Sequence, residues 1–547
     1  MIYRQHRYFI IFAALAAFFL FFNLGGWGVA ETSEARYAEI SREMVLSGDY
    51  LNPQLLGIYH YHKPPVTYYI TTFGYALFGI NEFGARFFLQ IAVILQLVLV
   101  YKLVIHLYHN KRMALYTAMC YFSIPILIMG GRNLTTDVFL TLFIIAAIYH
   151  WVVYIKEGKG VWNLYLYYFL MGLAFETKGP VALLYLYSFT FLYRMVLKEK
   201  FKLTIHQIIG FLLFLVIGLL WYVLIIYQKP ELLHYFVLNQ TVDRMASKSF
   251  HREQPFWFYI PIVLGVLFPY IIGFVARIKR IFLQGTRLDK MFIYYVGILF
   301  VIFSAFSTKR IFYILPLFWV IALLLVKALE ECSFSLLKAM KISYLVLLGI
   351  FAGAFVFLYF LPLEGIVITL IPLLIVVALT ITTYFVYIKY LRNNYKPQII
   401  YGLGCTFLCI VVLSGTFFMK ENHNAINSFK PIVRFIDNES TNEGKRIFAF
   451  DFMISSIPFY SDTEYFEVNY LHDTVVRETQ FQDNDAWKEH HINVYLKAEA
   501  DRFRELLSSG KNYVLVKKKY GIYEPFNFIK EKLPKQKDFG KWIVYYN

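Results

Sequence analysis

The sequence predicts a membrane-embedded all-α protein of about thirteen transmembrane helices, followed by a small C-terminal α/β domain. Three observations lead there. Of 547 residues, 59% are hydrophobic and only 16% charged, too apolar for a soluble multi-domain chain. Apolar segments long enough to cross a bilayer recur at 8–24, 87–108, 113–130, 138–155, 163–176, 180–197 and 207–227. They continue at 256–276, 291–307, 311–327, 342–361, 366–389 and 398–419. Beyond about residue 420 the composition turns polar.

Lys and Arg accumulate in alternate short loops, among them Arg4, Arg7, Lys111, Arg112, Lys156, Lys198, Arg277, Lys338 and Arg392. That set marks the cytoplasmic side. The net charge of +17 is therefore topological, and because the basic residues punctuate apolar segments, a nucleic-acid partner is excluded. Cys120, Cys332, Cys405 and Cys409 lie in or beside apolar segments, so no disulfide framework is expected. An N-terminal signal peptide is rejected, since no small-residue cleavage site follows the first apolar run. Domain boundaries follow: 1–419 as the transmembrane domain, with an extracytoplasmic loop at 25–86, and 420–547 as a soluble domain on the same side. Within the latter, Arg446 to Phe452, Tyr513 to Val516 and Trp542 to Tyr546 read as strands, with a helix over Ala498 to Leu507.

The first loop carries the densest charge. Glu31 to Ser47 reads as a short amphipathic helix at the membrane surface, with Ser33 as N-cap, Glu34 in the positive first turn and Gly48 as its stop. The prolines of His62-Lys63-Pro64-Pro65 open an aromatic helix over Thr67 to Phe78, closed by Gly79, which leaves Lys63 at a loop-to-helix junction suited to an anion. Other loops on that side bring Arg132 and Asp137, Glu176 and Lys178, Asp243 and Arg244, and Lys309, Arg310 and Tyr313 to the same level. Each alone also reads as an interfacial anchor. Both signs converging on one face suit an anionic headgroup.

The run Arg36-Tyr37-Ala38-Glu39-Ile40-Ser41-Arg42-Glu43-Met44, then Lys63-Pro64, Asn81 to Arg86, Thr177-Lys178-Gly179, Pro255-Phe256-Trp257, Lys309 with Tyr313, and His423 resemble the lipid-A aminoarabinose transferase family, relatives of the protein O-mannosyltransferases with the GT-C fold. The resemblance covers about Ala30 to His423 and reaches the C-terminal domain only in size and position. It implies a monomeric, multi-pass inner-membrane enzyme with its active site facing the periplasm. Such an enzyme takes a sugar from an undecaprenyl-phosphate carrier and passes it, with inversion, to lipid A or another envelope acceptor. By motif position it implies a phosphate clamp of Lys63, Arg244 and Tyr313 with Lys178 nearby, and Arg36 and Tyr37 in substrate binding. Family members carry an acid where this chain has Ser33, which leaves Glu34 and Glu31 as candidate bases and Asp137 for positioning or base work. A zinc ion is a further implication, with His62 and His423 at the ligand positions. Two other readings stay open: a polyprenyl-phosphate-sugar transferase for a different glycolipid, polymer or protein, and a lipid-linked-sugar transporter. Against transport, the chain shows no internal repeat and keeps its charges at helix ends.

Overall fold

The computed structural model describes residues 2–158, 160–200, 203–242, 253–439, 444–471 and 479–547. Its first part is helical: α1 (Ile2–Phe21), α2 (Ser33–Ser47), α3 (Val66–Phe78), α4 (Glu82–Tyr108), α5 (Lys111–Ser123), α6 (Pro125–Gly131), α7 (Thr136–Glu157), α8 (Val161–Lys178), α9 (Val181–Leu197), α10 (Ile205–Gln228) and α11 (Glu231–His234). Helices at 287–305, 311–330, 334–360, 370–391 and 397–421 follow.

Among the described residues, eight helices are long and apolar enough to cross a membrane, or ten if each of two bent pairs counts once. The pairs are α5 with α6, bent by 64°, and 256–266 with 270–284, bent by 113°. A proline sits at each break, Pro125 and Pro269. Proline removes a helical N–H and clashes with the preceding turn. This count is below the thirteen expected. His6–Phe21 and Val181–Leu197 are apolar but short, and α8 is tyrosine-rich and ends on Glu176 and Lys178.

The region after residue 420 contains a six-stranded mixed sheet, β5-β4-β3-β6-β8-β7. Its strands are β3 (Lys445–Phe450), β4 (Glu464–Asn469), β5 (His491–Asn493), β6 (Lys511–Lys517), β7 (Lys535–Asp538) and β8 (Trp542–Tyr546), while β1 (Gln54–Leu55) and β2 (Ile58–Tyr59) form a small hairpin in the first loop. The three runs expected as strands are β3, β6 and β8. Alternate residues face opposite sides: Phe448 and Phe450 pack on the helix Lys497–Leu506, Ile447 and Ala449 on the helix Lys430–Glu439.

Helix α2 departs from its expected surface position. Gly48 ends it as expected, at φ 71°. However, Ala35, Ala38, Ile40 and Met44 are fully buried, with Glu34, Glu39 and Ser41. One side packs on α3, where the Tyr75 hydroxyl donates to the Ala38 carbonyl at 3.0 Å. The other is covered by the helix Ser456–Tyr460 of the C-terminal region, whose Phe459 joins the main helical core. Nor does Ser33 cap the helix. The cap residue is Thr32, without a side-chain bond, and the Ala30 N–H is taken by Glu34 at 2.9 Å.

Glu34 belongs to a buried knot that sets the whole loop. Arg86 on α4 pairs with it through Nε to Oε1 at 2.8 Å and Nη2 to Oε2 at 2.9 Å. The remaining guanidinium protons go to the carbonyls of Leu24, Trp27 and Gly28 at 2.9–3.1 Å, so all five donors are used. Trp27 lies between Arg86 and Arg132, 4.3 and 4.8 Å from their guanidinium carbons. The Leu134 N–H donates to Glu34 Oε1 at 3.1 Å, joining this knot to the start of α7.

Breaking a buried pair by removing one partner costs about 3–5 kcal/mol, because the other charge is left uncompensated. Arg86→Ala is therefore expected to lower the unfolding temperature of the detergent-purified chain well beyond Lys488→Ala, whose Asp485 partner is exposed. Equal shifts for the two variants would refute the central place given to Arg86.

Candidate functional site

Helices α7 and α8 pack side by side and bring the end of α8 to the start of α7. Asp137 lies in the first turn of α7 and Lys178 is the last residue of α8. Each charge suits the helix dipole at its own end, and the two form an ion pair. The ammonium of Lys178 also sits 4.3 Å from the centre of the Tyr313 ring, a cation–π contact. Tyr313 is held through its carbonyl, which accepts the buried Tyr185 hydroxyl.

Two cavities meet at this cluster. One, of about 390 Å³, is walled by Tyr61, Phe175, Leu219, Tyr222 and Phe236. The other, of about 370 Å³, is walled by Leu140, Val181, Leu184, Ile302 and Phe303. Lys63, Lys178, Pro180 and Gln240 line both. An apolar cleft with a few convergent polar groups is the usual form of a small-molecule or lipid site. Here the polar groups are two lysines, which suits an anion at the end of a hydrocarbon chain.

Of the residues singled out in the sequence, Lys63, Lys178, Asp137 and Tyr313 are thus brought together. Glu34 is not free to act as a base, for its oxygens are committed to Arg86, Ala30 and Leu134. Glu31 faces the C-terminal region, where its Oε1 accepts the Ser456 N–H at 2.6 Å. Arg36 is half-buried on α2, and its Nε has no partner among the described residues. Tyr37 packs 5.9 Å from the Tyr68 ring. Arg244 lies outside the described residues.

The two histidines expected as metal ligands have other partners. His62 Nδ1 is 2.7 Å from the Tyr235 hydroxyl, while His423 follows the helix 397–421 and its carbonyl accepts the Ser428 N–H. Among the described residues no group of three or more His, Cys, Asp or Glu could hold an ion. Among the described residues these histidines do not reach the ligand count of a closed zinc site.

Arg310, which the sequence places among the outer-loop charges, gains a specific partner, and Gln240 enters as a residue that sequence reasoning missed. Arg310 Nη1 donates to Ser33 Oγ at 3.3 Å, spanning from the Tyr313 turn to the tip of α2. Gln240 lines both cavities from a π-helical turn, Tyr235–Val242, whose periodicity no amphipathic pattern reveals.

A family model for dolichyl-phosphate-mannose-protein mannosyltransferase matches residues 62–223. Undecaprenyl phosphate-alpha-4-amino-4-deoxy-L-arabinose arabinosyl transferase 1 of Proteus mirabilis is 32% identical over 329 residues, 57% of this chain and 59% of that protein. Over that stretch the chain is similar to these transferases. The matched stretch spans about three-fifths of the curated relative's length. The crystal structure of ArnT from Cupriavidus metallidurans bound to undecaprenyl phosphate superposes over 98% of this chain and 97% of that one, with TM-score 0.76 at 19% identity. Its apo state gives 0.78 over 99% and 98%. The chain thus has the membrane all-α GT-C fold.

Burial raises three carboxyls of the first loop. Glu31 is pushed up to about 7, with the Ser456 N–H and the Arg36 charge opposing. Glu39 is raised by burial and by the nearby Glu43, against Arg42. Glu43 is raised by burial, against the N–H groups of Leu56 and Gly57 that it accepts at the hairpin turn. A carboxyl raised on folding adds stability in full below its ordinary value of 4.5, and this is lost as pH climbs through about 7. The unfolding temperature of Glu31→Gln relative to wild type should therefore rise between about pH 5 and pH 8. A constant offset would remove Glu31 as the titrating group.

Proposed function

We propose that the chain moves a sugar from an undecaprenyl-phosphate carrier to an anionic envelope acceptor such as lipid A, with inversion at the anomeric carbon. The observation that carries this reading is the Lys63–Lys178 junction of two apolar cavities, with Lys178 fixed by Asp137 and Tyr313. The names of its relatives, and the undecaprenyl phosphate bound in the structure of the same fold, support that donor. Counting α1, α8 and α9 with the ten apolar spans would give thirteen crossings. With that number the first loop and residues 420–547 would both lie on the periplasmic face of an inner membrane.

The charge balance follows from the chemistry. The donor phosphodiester carries one negative charge, and breaking its bond to C1 leaves a phosphomonoester with a second. Fixed cations stabilise that added charge more in the transition state than in the ground state. The partnered Lys178 is preorganised for this work, Lys63 brings a second cation to the lining of both cavities, and Arg244 is assigned to the same clamp by its motif alone. On the acceptor side, Glu34 is committed to Arg86, Asp137 to Lys178 and Glu31 to Ser456, and Ser33 is no base. An acceptor phosphate is already ionised and attacks C1 without giving up a proton, so the set needs no general base.

The test is transfer from an undecaprenyl-phosphate-linked aminopentose to lipid A by the purified chain, read as released undecaprenyl phosphate. Lys178→Ala should lower kcat about 10²–10³-fold, the usual cost of one preorganised charge donor. Ser33→Ala should stay within about threefold of wild type, because an ionised acceptor leaves no proton for a group at that position to remove. Wild-type rates in both Lys178→Ala and Lys63→Ala would overturn the clamp. Transfer only to a neutral hydroxyl acceptor would overturn the acceptor class.

A further inference from the structure

The soluble domain grips the first loop at several points. The Tyr460 hydroxyl accepts the Val29 N–H at 2.6 Å and donates to Glu82 Oε1 at 3.1 Å. Lys430 forms an ion pair with the same carboxylate. The Glu31 N–H donates to the Asn427 carbonyl at 3.0 Å, and Arg42 pairs with Asp462. At Gly28 the backbone is so close to the domain that a Cβ would collide with the side chains of Ser428 and Tyr460.

These contacts lead inward by short, directional steps. Glu82 is one turn from Arg86 on α4, and Val29 follows Gly28, whose carbonyl Arg86 holds. Arg86 fixes Glu34, Glu34 fixes the Leu134 N–H, and three residues later stands Asp137, which holds Lys178. By contrast, neither apolar cavity has a lining residue beyond Tyr313.

We propose that Tyr460, Lys430 and Glu82 form a brace through which docking of the soluble domain positions the Asp137–Lys178 pair, and so sets turnover without setting donor affinity. The three are positioning residues, since each acts through Arg86 and Glu34. Only the kinetic part rests on the transferase reading above.

The experiment uses the full chain in lipid nanodiscs and compares wild type, Tyr460→Phe, Lys430→Ala, and the exchanged pair Glu82→Lys with Lys430→Glu. Amide hydrogen exchange is read at 27–36 and 132–137, and transfer kinetics alongside. Tyr460→Phe and Lys430→Ala should speed exchange in both segments and lower kcat about ten- to a hundredfold, the scale of a small misplacement of catalytic groups. Donor KM should stay within about twofold. The exchanged pair should recover toward wild type in both readouts, which a general loss of packing would not do. Faster exchange confined to 27–36, or kcat per folded molecule equal to wild type in both variants, would overturn the brace. Should wild type transfer no sugar, the functional reading fails, while exchange at 132–137 still decides whether the brace reaches the site.

Discussion

Arg86 is the residue on which the rest of this arrangement depends. A guanidinium with no exposure to water must satisfy five donors and one charge internally, or the cost of taking it out of water is not recovered. Here the carboxylate of Glu34 supplies the charge and two of the bonds, and three carbonyls of a single turn supply the others. That requirement fixes the path of residues 24–34, and the path in turn fixes where α2 begins. Because Glu34 also accepts the Leu134 N–H, the same constraint reaches α7.

The site itself is assembled from helix ends. Placing Asp137 at an N-terminus and Lys178 at a C-terminus lets each charge be stabilised by its own helix before the two meet, so the pair is held without a dedicated loop. The Tyr313 ring then restrains the ammonium from a third direction. Such a group can meet developing charge with little rearrangement, which is the property that makes fixed dipoles effective in place of water. Apolar walls line the cavities on either side of the same space.

Much of this is readable from local patterns. Gly48 and Gly79 end their helices where the sequence places them, and the prolines after Lys63 open α3 as expected. Strands β3, β6 and β8 follow from alternation and β-branched or aromatic content. What escapes is tertiary. Glu34 and Arg86 are 52 residues apart, and nothing in their spacing announces a buried pair. A charged helix such as α2 reads as a solvated one, because the soluble domain that covers it comes more than 400 residues later. The short strand β5 and the polar strand β7, whose four residues are all exposed, carry no hydrophobic signal. For the same reason Ser33 reads as a cap, when its hydroxyl serves an arginine from another loop.

The bond from Ser456 to Glu31 closes a separation of 425 residues. At about 5–20 residues per second of synthesis, roughly 20–90 s pass between the emergence of the two. Throughout that interval the first loop has its Arg86 knot available but lacks the partners of Glu31 and Glu82. A ribosome that stalls before residue 430 therefore releases a chain whose first loop still lacks those partners. Order in the first loop is completed last, and only on chains that have been translated past Ser456.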